Sequence, residues 1–97
     1  MALLQSSGKL TFLRVHDVGT KFGPPTDQID VEVVMKLTTQ PDRAMGFTLR
    51  NDTNRLTHQG MLDLLRDAFT HNWTVVVDYD LIEGKHNGVA IRVALTK

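Results

Sequence analysis

The stretch that decides the fold is GMLDLLRDAF, residues 60–69, because its apolar residues have helical spacing. From Met61 to Phe69 they recur every three or four positions, as on one face of an α-helix. Thr57 can cap the start of such a helix, and Asn72 can take the left-handed conformation that ends one. The sequence therefore predicts one helix of about 12–14 residues.

Two strands are predicted after the helix. Apolar residues alternate with other residues from Trp73 to Tyr79 and again from Val89 to Leu95, which is the period of half-buried strands. The intervening residues 82–88 contain two glycines and predict a hairpin loop.

Three strands are predicted before the helix. Residues 29–37 alternate strictly, and residues 44–49 follow them after a proline-containing turn at 40–43. An earlier strand, residues 10–18, has a blurred alternation that a bulge or a strong bend would explain. The connection at 19–27 contains Phe-Gly-Pro-Pro, which neither a helix nor a central strand accepts.

The order of these elements favours one fold. Strand, strand, strand, helix, strand, strand is the chain order of the OB-fold, a small, partly open Greek-key barrel whose first strand is bent. We therefore predict that residues 1–97 form a single, mostly β domain (β-β-β-α-β-β), an OB-fold-like small Greek-key barrel with one helix. Another α+β sheet packed on one helix is the alternative.

The helix and the last two strands also resemble a known family. Residues 60–69, 73–79 and 87–93 are similar to the C-terminal half of the B subunits of pertussis-like and subtilase-type bacterial toxins. Those subunits show a helix of the form M-x-x-L-L-x-A, a K/T-V-x-V strand, an N-G turn and a closing strand. The resemblance implies an OB-fold subunit that assembles into a ring and binds a glycan.

The balance of charges and the absence of cysteine limit which partners and which kinds of site this chain can have. Lysine plus arginine equals aspartate plus glutamate, 11 of each, whereas a nucleic-acid binder normally carries a basic surplus. Nucleic acid is therefore not the expected partner. The chain contains no cysteine, which excludes disulfides, thiolate zinc sites and cysteine nucleophiles.

The N-terminal residues predict a location. Residues 1–8, MALLQSSG, contain no basic residue and only a short apolar run, which is not the pattern of a signal peptide. No apolar stretch approaches the ~20 residues that span a bilayer. We expect a cytoplasmic protein without a membrane span; a mature secreted form is the alternative.

Small or apolar side chains occupy strand positions that are expected to face outward. A solvent-facing surface normally carries more charge, and an open edge strand normally carries lysine or proline. Such positions indicate close approach by another subunit, so we predict a symmetric homo-oligomer, with a ring as one form. The positions are Val34, Ala44, Gly46, Val76, Ala90 and Ala94.

Ligand residues are predicted by analogy with the fold. In an OB-fold the connections after strands one and four flank the binding face. Here these are residues 19–27 and 82–88, and no cofactor is expected in them. The candidate ligand-binding residues are Lys21, Phe22, Lys85 and His86.

Catalytic and metal-binding patterns are weak. The four histidines are dispersed without the short spacing of metal ligands, so no metal site is predicted. His16 and Asp17 could form an orienting pair, but no nucleophile lies beside them in the sequence. No catalytic residue is assigned.

Three hypotheses of function follow. The leading one is a non-catalytic, homo-oligomeric binding or assembly module for a glycan or small molecule. The alternative is a single-stranded nucleic-acid-binding OB-fold protein, with the same loop residues as contacts. The second alternative is a small enzyme of unknown reaction that uses His16 and Asp17.

Overall fold

The structure, a computed structural model, describes residues 2–81 and 84–96. These residues form six strands and one helix, so the mostly β prediction is confirmed, as is the position of the helix before the last two strands. The predicted count of five strands is wrong, because the N-terminal segment forms two. The elements are β1 (Ala2–Gly8), β2 (Leu10–Val15), β3 (Val33–Leu37), β4 (Gln40–Phe47), α1 (Arg55–His71), β5 (Thr74–Leu81) and β6 (Gly88–Thr96).

All six strands belong to one sheet, in the order β1-β5-β6-β4-β3-β2. Neighbouring strands are antiparallel except β4 and β6, which are parallel. The strands β1 and β2 stand at opposite ends of this order, although Lys9 alone separates them in the chain. The first strand, predicted at residues 10–18, therefore starts earlier and divides between the two ends of the sheet. The predicted irregularity is present as a register shift between Leu10 and Phe12.

The bend between β1 and β2 lies against the turn of the β3–β4 hairpin. The N–H of Thr38 donates to the carbonyl of Lys9 (2.9 Å), and the hydroxyl of Thr39 donates to the carbonyl of Ser7 (2.6 Å). A Cβ on Gly8 would lie 2.9 Å from Oγ1 of Thr38, so a glycine allows this close approach. The hairpin turn thereby holds the bend at which the chain stops pairing with β5 and begins to pair with β3.

That turn lies at Thr38 and Thr39, and the predicted turn at 40–43 is wrong. Residues 40–43 instead begin β4, with Pro41 inside the strand. Proline is tolerated there because this part of β4 pairs with β3 alone, so one edge needs no donor.

The helix is longer than predicted. It starts at Arg55 after Asn54, so the assignment of Thr57 as N-cap is wrong, whereas Asn72 ends it in the left-handed conformation (φ 58°) as predicted. Phe69, on the predicted apolar face of the helix, is 47% exposed. Among the described residues, no helix is long and apolar enough to cross a membrane.

The main core lies between the sheet and one face of α1. The helix contributes Met61, Leu65 and Ala68, and the inward-facing residues of the strands complete the cluster. Burial of these side chains supplies the principal stabilisation, because each apolar side chain contributes roughly 1.5–3 kcal/mol when removed from water. The strand residues are Val33, Met35, Leu37, Met45, Phe47, Val75, Val77, Tyr79 and Ala90.

A second apolar cluster covers the other face of β3. Residues 22–31 fold back over this face, held by two hydrogen bonds between the backbones of Phe22 and Ile29 (2.9 and 3.1 Å). The predicted strand at 29–37 therefore begins only at Val33. The cluster consists of Ile29, Val31, Val34 and Ala44, with Phe12 and Phe22 packed against it.

This covering corrects the prediction that Val34, Ala44 and Gly46 face outward. All three are buried within the chain, because residues 22–31 occupy the surface assigned to a partner subunit. Gly46 lies directly beneath Val31: a Cβ there would be 2.5 Å from Cγ2 of Val31. Strand alternation predicts which residues share a face, but not which segment covers it.

Ala90 is also buried rather than exposed. A register shift between Asp78 and Tyr79 in the β5–β6 pair sets Ala90 opposite Tyr79, inside the main core. Of the two remaining predicted interface positions, Val76 is half-buried and Ala94 is exposed.

We predict that Gly46→Ala destabilises the protein by about 1–3 kcal/mol, because the new Cβ would also lie 2.6 Å from the carbonyl oxygen of Val33, which cannot rotate away. The matched control is Gly60→Ala, where the Cβ meets no atom within 4 Å and the helix interior favours alanine by about 0.5–1 kcal/mol. Urea denaturation of both variants would measure the two shifts. Equal stability of Gly46→Ala and wild type would contradict the packing described.

Candidate ligand site between two loops

The two loops predicted to flank a ligand are bonded to each other. One Asp27 carboxylate oxygen accepts the backbone N–H groups of His86 (2.7 Å) and Asn87 (3.4 Å). The amide of Asn87 donates to the carbonyl of Asp27 (3.1 Å) and accepts the N–H of Ala44 (3.0 Å). Since Asn87 is only 6% exposed, these hydrogen bonds are shielded from water and fix both loops to β4.

Gly23 makes the turn in the first loop possible. Its φ is 106°, a conformation that favours glycine, and a Cβ there would lie 2.7 Å from the carbonyl oxygen of Asp27. The turn is closed by the N–H of Asp27, which donates to the carbonyl of Pro24 (2.8 Å). It presents the Asp27 carboxylate to the second loop.

Arg43 connects the second loop to the sheet. Its Nε donates to the carbonyl of His86 (2.7 Å), and its Nη1 donates to the hydroxyl of Tyr79 (3.1 Å). The Tyr79 hydroxyl also lies 3.2 Å from the hydroxyl of Ser6. One chain of hydrogen bonds therefore runs from β1 through β5 and β4 to the loop.

A cavity of about 320 Å³ opens between the two loops. This volume lies in the range of small-molecule sites, roughly 300–1,000 Å³. Two lysines line it, and the carboxylate among its lining residues, Asp30, is bonded to Arg50 (2.9 Å). The described lining thus carries a positive surplus. It consists of Lys21, Pro25, Gln28, Ile29, Asp30, Lys85 and Val89.

The two lysines differ in how the backbone positions them. Lys85 donates from Nζ to the carbonyl of Gln28 (2.7 Å), which bridges the loops across the cavity. Lys21 has a φ of 52°, in the left-handed region that few non-glycine residues adopt. Such a conformation costs of order 1–3 kcal/mol and recurs at ligand sites.

A charge pair supports the segment that carries the cavity. Glu32 is 2% exposed, and both its oxygens accept from Arg50 (2.8 and 2.7 Å) while the N–H of Leu49 donates to Oε1 (3.0 Å). The hydrogen bonds from Arg50 hold the pKa of Glu32 below its ordinary value, against the opposing effect of burial. The same bonds raise the pKa of Arg50.

Two of the four predicted ligand residues do not line the cavity. Phe22 packs into the second apolar cluster, and His86 is exposed, with its backbone rather than its ring in the hydrogen bonds given above. The reasoning from sequence missed Gln28 and Asp30, because no spacing marks them. Loop position was the signal that singled out Lys21 and Lys85, which both line the cavity.

His16 and Asp17 do not line this cavity. The backbone N–H of His16 donates to the carbonyl of Glu32 (2.8 Å), and its ring nitrogens have no hydrogen-bond partner among the described residues. Asp17 is exposed, and its carbonyl accepts from Thr20 (2.8 Å). Within residues 2–81 and 84–96, no three histidine or carboxylate side chains are grouped closely enough to hold a metal ion.

An aromatic and cationic patch lies beside the first loop. The rings of Phe12 and Phe22 are 6.4 Å apart, and Cζ of Arg14 lies 5.8 and 5.0 Å from their centroids. Nζ of Lys36 lies 5.7 Å from the centroid of Phe12. Both cations therefore lie within cation–π distance of the phenylalanine rings.

Compared with models of known protein families, with curated protein sequences and with solved structures, this chain matches none. Its function must therefore be inferred from the cavities and surfaces of the chain itself.

We predict that Glu32→Gln lowers the free energy of unfolding by about 1–3 kcal/mol at pH 7, because a buried partner of Arg50 loses its charge. Because the pKa of Glu32 is lower in the folded chain than the ordinary glutamate value of 4.5, its ionised carboxylate stabilises the wild type above pH 4.5. This contribution is lost as the pH falls from 4.5 through the pKa of the folded state. Urea denaturation at pH 7 and pH 3 should show a smaller acid loss in the variant.

Asp30→Asn provides the matched control for this prediction. Its side chain is 54% exposed and pairs with the same guanidinium, so its loss should cost less than about 1 kcal/mol. Equal effects of the two substitutions would contradict the dominant role of Glu32.

Proposed function

We propose that the chain is an OB-type barrel that acts as a non-catalytic binding module for a small molecule with an anionic group. The strand order supports the barrel. If β1 and β2 are the halves of one bent strand, the order runs from that strand through β3, β4, β6 and β5 back to it. The resemblance of residues 60–69, 73–79 and 87–93 to OB-fold toxin subunits points the same way.

The observation that carries the proposed activity is the meeting of Lys21 and Lys85 in one cavity. The two residues are far apart in the sequence and come from the loops that flank the binding face in an OB-fold. Lysine donates up to three charge-assisted hydrogen bonds, and carboxylates and phosphates are its usual acceptors. Gln28 adds a polar side chain for a neutral part of the ligand.

Assembly of several copies is part of the proposal. Of the predicted interface residues, Val76 and Ala94 stay accessible and line a separate cavity of about 360 Å³. The ligand cavity lies elsewhere and includes neither residue. Binding and assembly can therefore be tested separately.

We expect inorganic phosphate to shift backbone amide resonances of residues 21–30 and 84–89 in a two-dimensional NMR titration. Lys21→Ala and Lys85→Ala should each weaken phosphate binding by about tenfold or more, because a hydrogen bond to a charged group contributes about 1.5–3 kcal/mol.

Lys9→Ala is the matched control, since it removes the same charge from an exposed lysine whose Nζ donates to the carbonyl of Asn72. It should leave phosphate binding unchanged. An equal loss in all three variants would reveal a general effect of net charge, and the absence of phosphate-dependent shifts would contradict the anionic site.

A second candidate function is the binding of single-stranded nucleic acid. Aromatic rings that stack on bases beside cations are the usual means of such binding. The pair Phe12 and Phe22 with Arg14 and Lys36 is the observation that favours it. Of the two cavity lysines, Lys21 directly precedes Phe22 in the chain.

We expect a labelled mixed-sequence DNA 12-mer at low salt to distinguish the two candidates. If the patch binds nucleic acid, Arg14→Ala should reduce the anisotropy change and raised salt should abolish it. Leu56→Ala, at an exposed helix position, is the control for a nonspecific effect. No anisotropy change with the wild type would eliminate this candidate and leave the small-anion site.

A further inference from the structure

The strand β6 has an open edge. Its parallel pairing with β4 is restricted to two residue pairs, Met45 with Gly88 and Gly46 with Val89. From Ala90 to Thr96, β5 is its only strand partner among the described residues. One row of backbone groups in this part of β6 is therefore not paired with a strand, which makes it a template for strand addition.

A groove follows this open edge. A cavity of about 410 Å³ lies where β4 and β6 separate, beside the first turn of α1. The cavity of about 360 Å³ continues it toward Ala94 and also reaches Gln5 of β1 and Asp78 of β5. Thr57 and Ile91 line both cavities. Ile91 is 45% exposed, so the groove presents an apolar side chain beside the strand backbone.

The strand β1 has the properties of an occupant for this groove. It pairs with β5 along one edge, and no second strand partner occurs in the described part of the chain. Its residues, 2–8, carry no charge, whereas open edges in native proteins are normally protected by lysine or proline. Leu3 is 56% and Leu4 is 38% exposed.

We propose that the β6 groove binds β1 of a second copy of this chain, so that the sheet continues from one copy to the next. The two open edges lie on opposite sides of the β1-β5-β6 part of the sheet, and a head-to-tail contact therefore covers both. An uncharged β1 brings no like-charge repulsion, and its leucines supply the apolar contact for Ile91.

This interface is the contact between neighbouring copies in the homo-oligomer of the proposed function. The contact is heterologous, because different faces of the two copies meet, and repetition closes into a ring or extends as a filament. It does not include Lys21 or Lys85, so ligand binding does not depend on it. The proposal thus rests on the assembly part of the proposed function and not on the anionic site.

The test begins with the mass of the full chain in solution. Light scattering after size exclusion, at on the order of 100 µM, should give a multiple of 10.9 kDa for the wild type. Leu3→Lys and Ile91→Lys should each give monomers, because a charge on either edge blocks strand addition. Val18→Lys, at a residue 61% exposed in the connection after β2, should keep the wild-type mass.

The decisive measurement is the mass of a mixture of Leu3→Lys and Ile91→Lys. A Leu3→Lys copy retains an intact groove, and an Ile91→Lys copy retains an intact β1, so an equimolar mixture should form a dimer of twice 10.9 kDa. An interface between two β1 strands, or between two β6 strands, would leave one variant oligomeric and give no such dimer. Circular dichroism should show native spectra for both variants; Ala94→Glu replaces Ile91→Lys if the latter unfolds.

Three results would overturn the proposal: a monomeric wild type, oligomers that persist in both variants, or folded monomers that do not form the mixed dimer. A wild type that is monomeric but binds an added peptide ALLQSSG would show that the groove accepts the β1 sequence, and would still overturn assembly of the chain through it. Phosphate titration of monomeric Leu3→Lys separates the two proposals, because the anionic site should bind equally well without assembly.

Discussion

The packing of Val31 on the backbone of Gly46 is the constraint on which the rest of the structure depends. With no side chain on Gly46, Val31 can lie directly over the sheet, and residues 22–31 then cover Val34 and Ala44. The strand β3 is thereby buried on both faces. The same segment carries Gln28 and Ile29 to the edge of the cavity, with Lys21 directly before it, and sets Asp27 opposite the second loop. The candidate site therefore depends on the apolar contact that the same segment makes with the sheet.

This arrangement has an electrostatic consequence, because Glu32 follows Val31 directly and its carboxylate is carried out of water. A buried carboxylate without partners would cost several kcal/mol, whereas an exposed ion pair contributes less than about 1 kcal/mol. Arg50 offsets this cost because it donates two hydrogen bonds to the Glu32 carboxylate. It donates a third hydrogen bond to Asp30. The pairing also partly neutralises the Asp30 carboxylate in the lining of the cavity. The ion pairs of Arg50 thus stabilise the segment and also reduce the negative charge of Asp30 in the lining of the cavity.

The sequence predicted the elements whose periodicity is regular, and it did not predict what tertiary contacts decide. The helix around Met61–Phe69 and the last two strands are visible because alternation and helical spacing persist over many residues. The strand β1 could not be predicted in this way, since ALLQSSG has no alternation and its conformation comes from pairing with β5. Ala90 was assigned to the wrong face because one extra residue in β6 reverses the alternation. At the site, loop position located Lys21 and Lys85, whereas the bonds of Asp27 to Asn87 join residues that no local pattern relates.

A net charge of zero is compatible with an anionic ligand because the acidic groups of residues 27–32 are already engaged. Asp27 accepts two backbone N–H groups, and Asp30 and Glu32 are bonded to Arg50. Lys85 is bonded to a carbonyl, which leaves its charge intact, and Lys21 forms no salt bridge within the described residues. The described lining of the cavity therefore carries a positive surplus although the total charge of the chain is zero. A polyanion would require a continuous path of cations. Two lysines that meet in one cavity suit a single anionic group, which is why a small molecule accounts for this geometry better than a nucleic-acid strand.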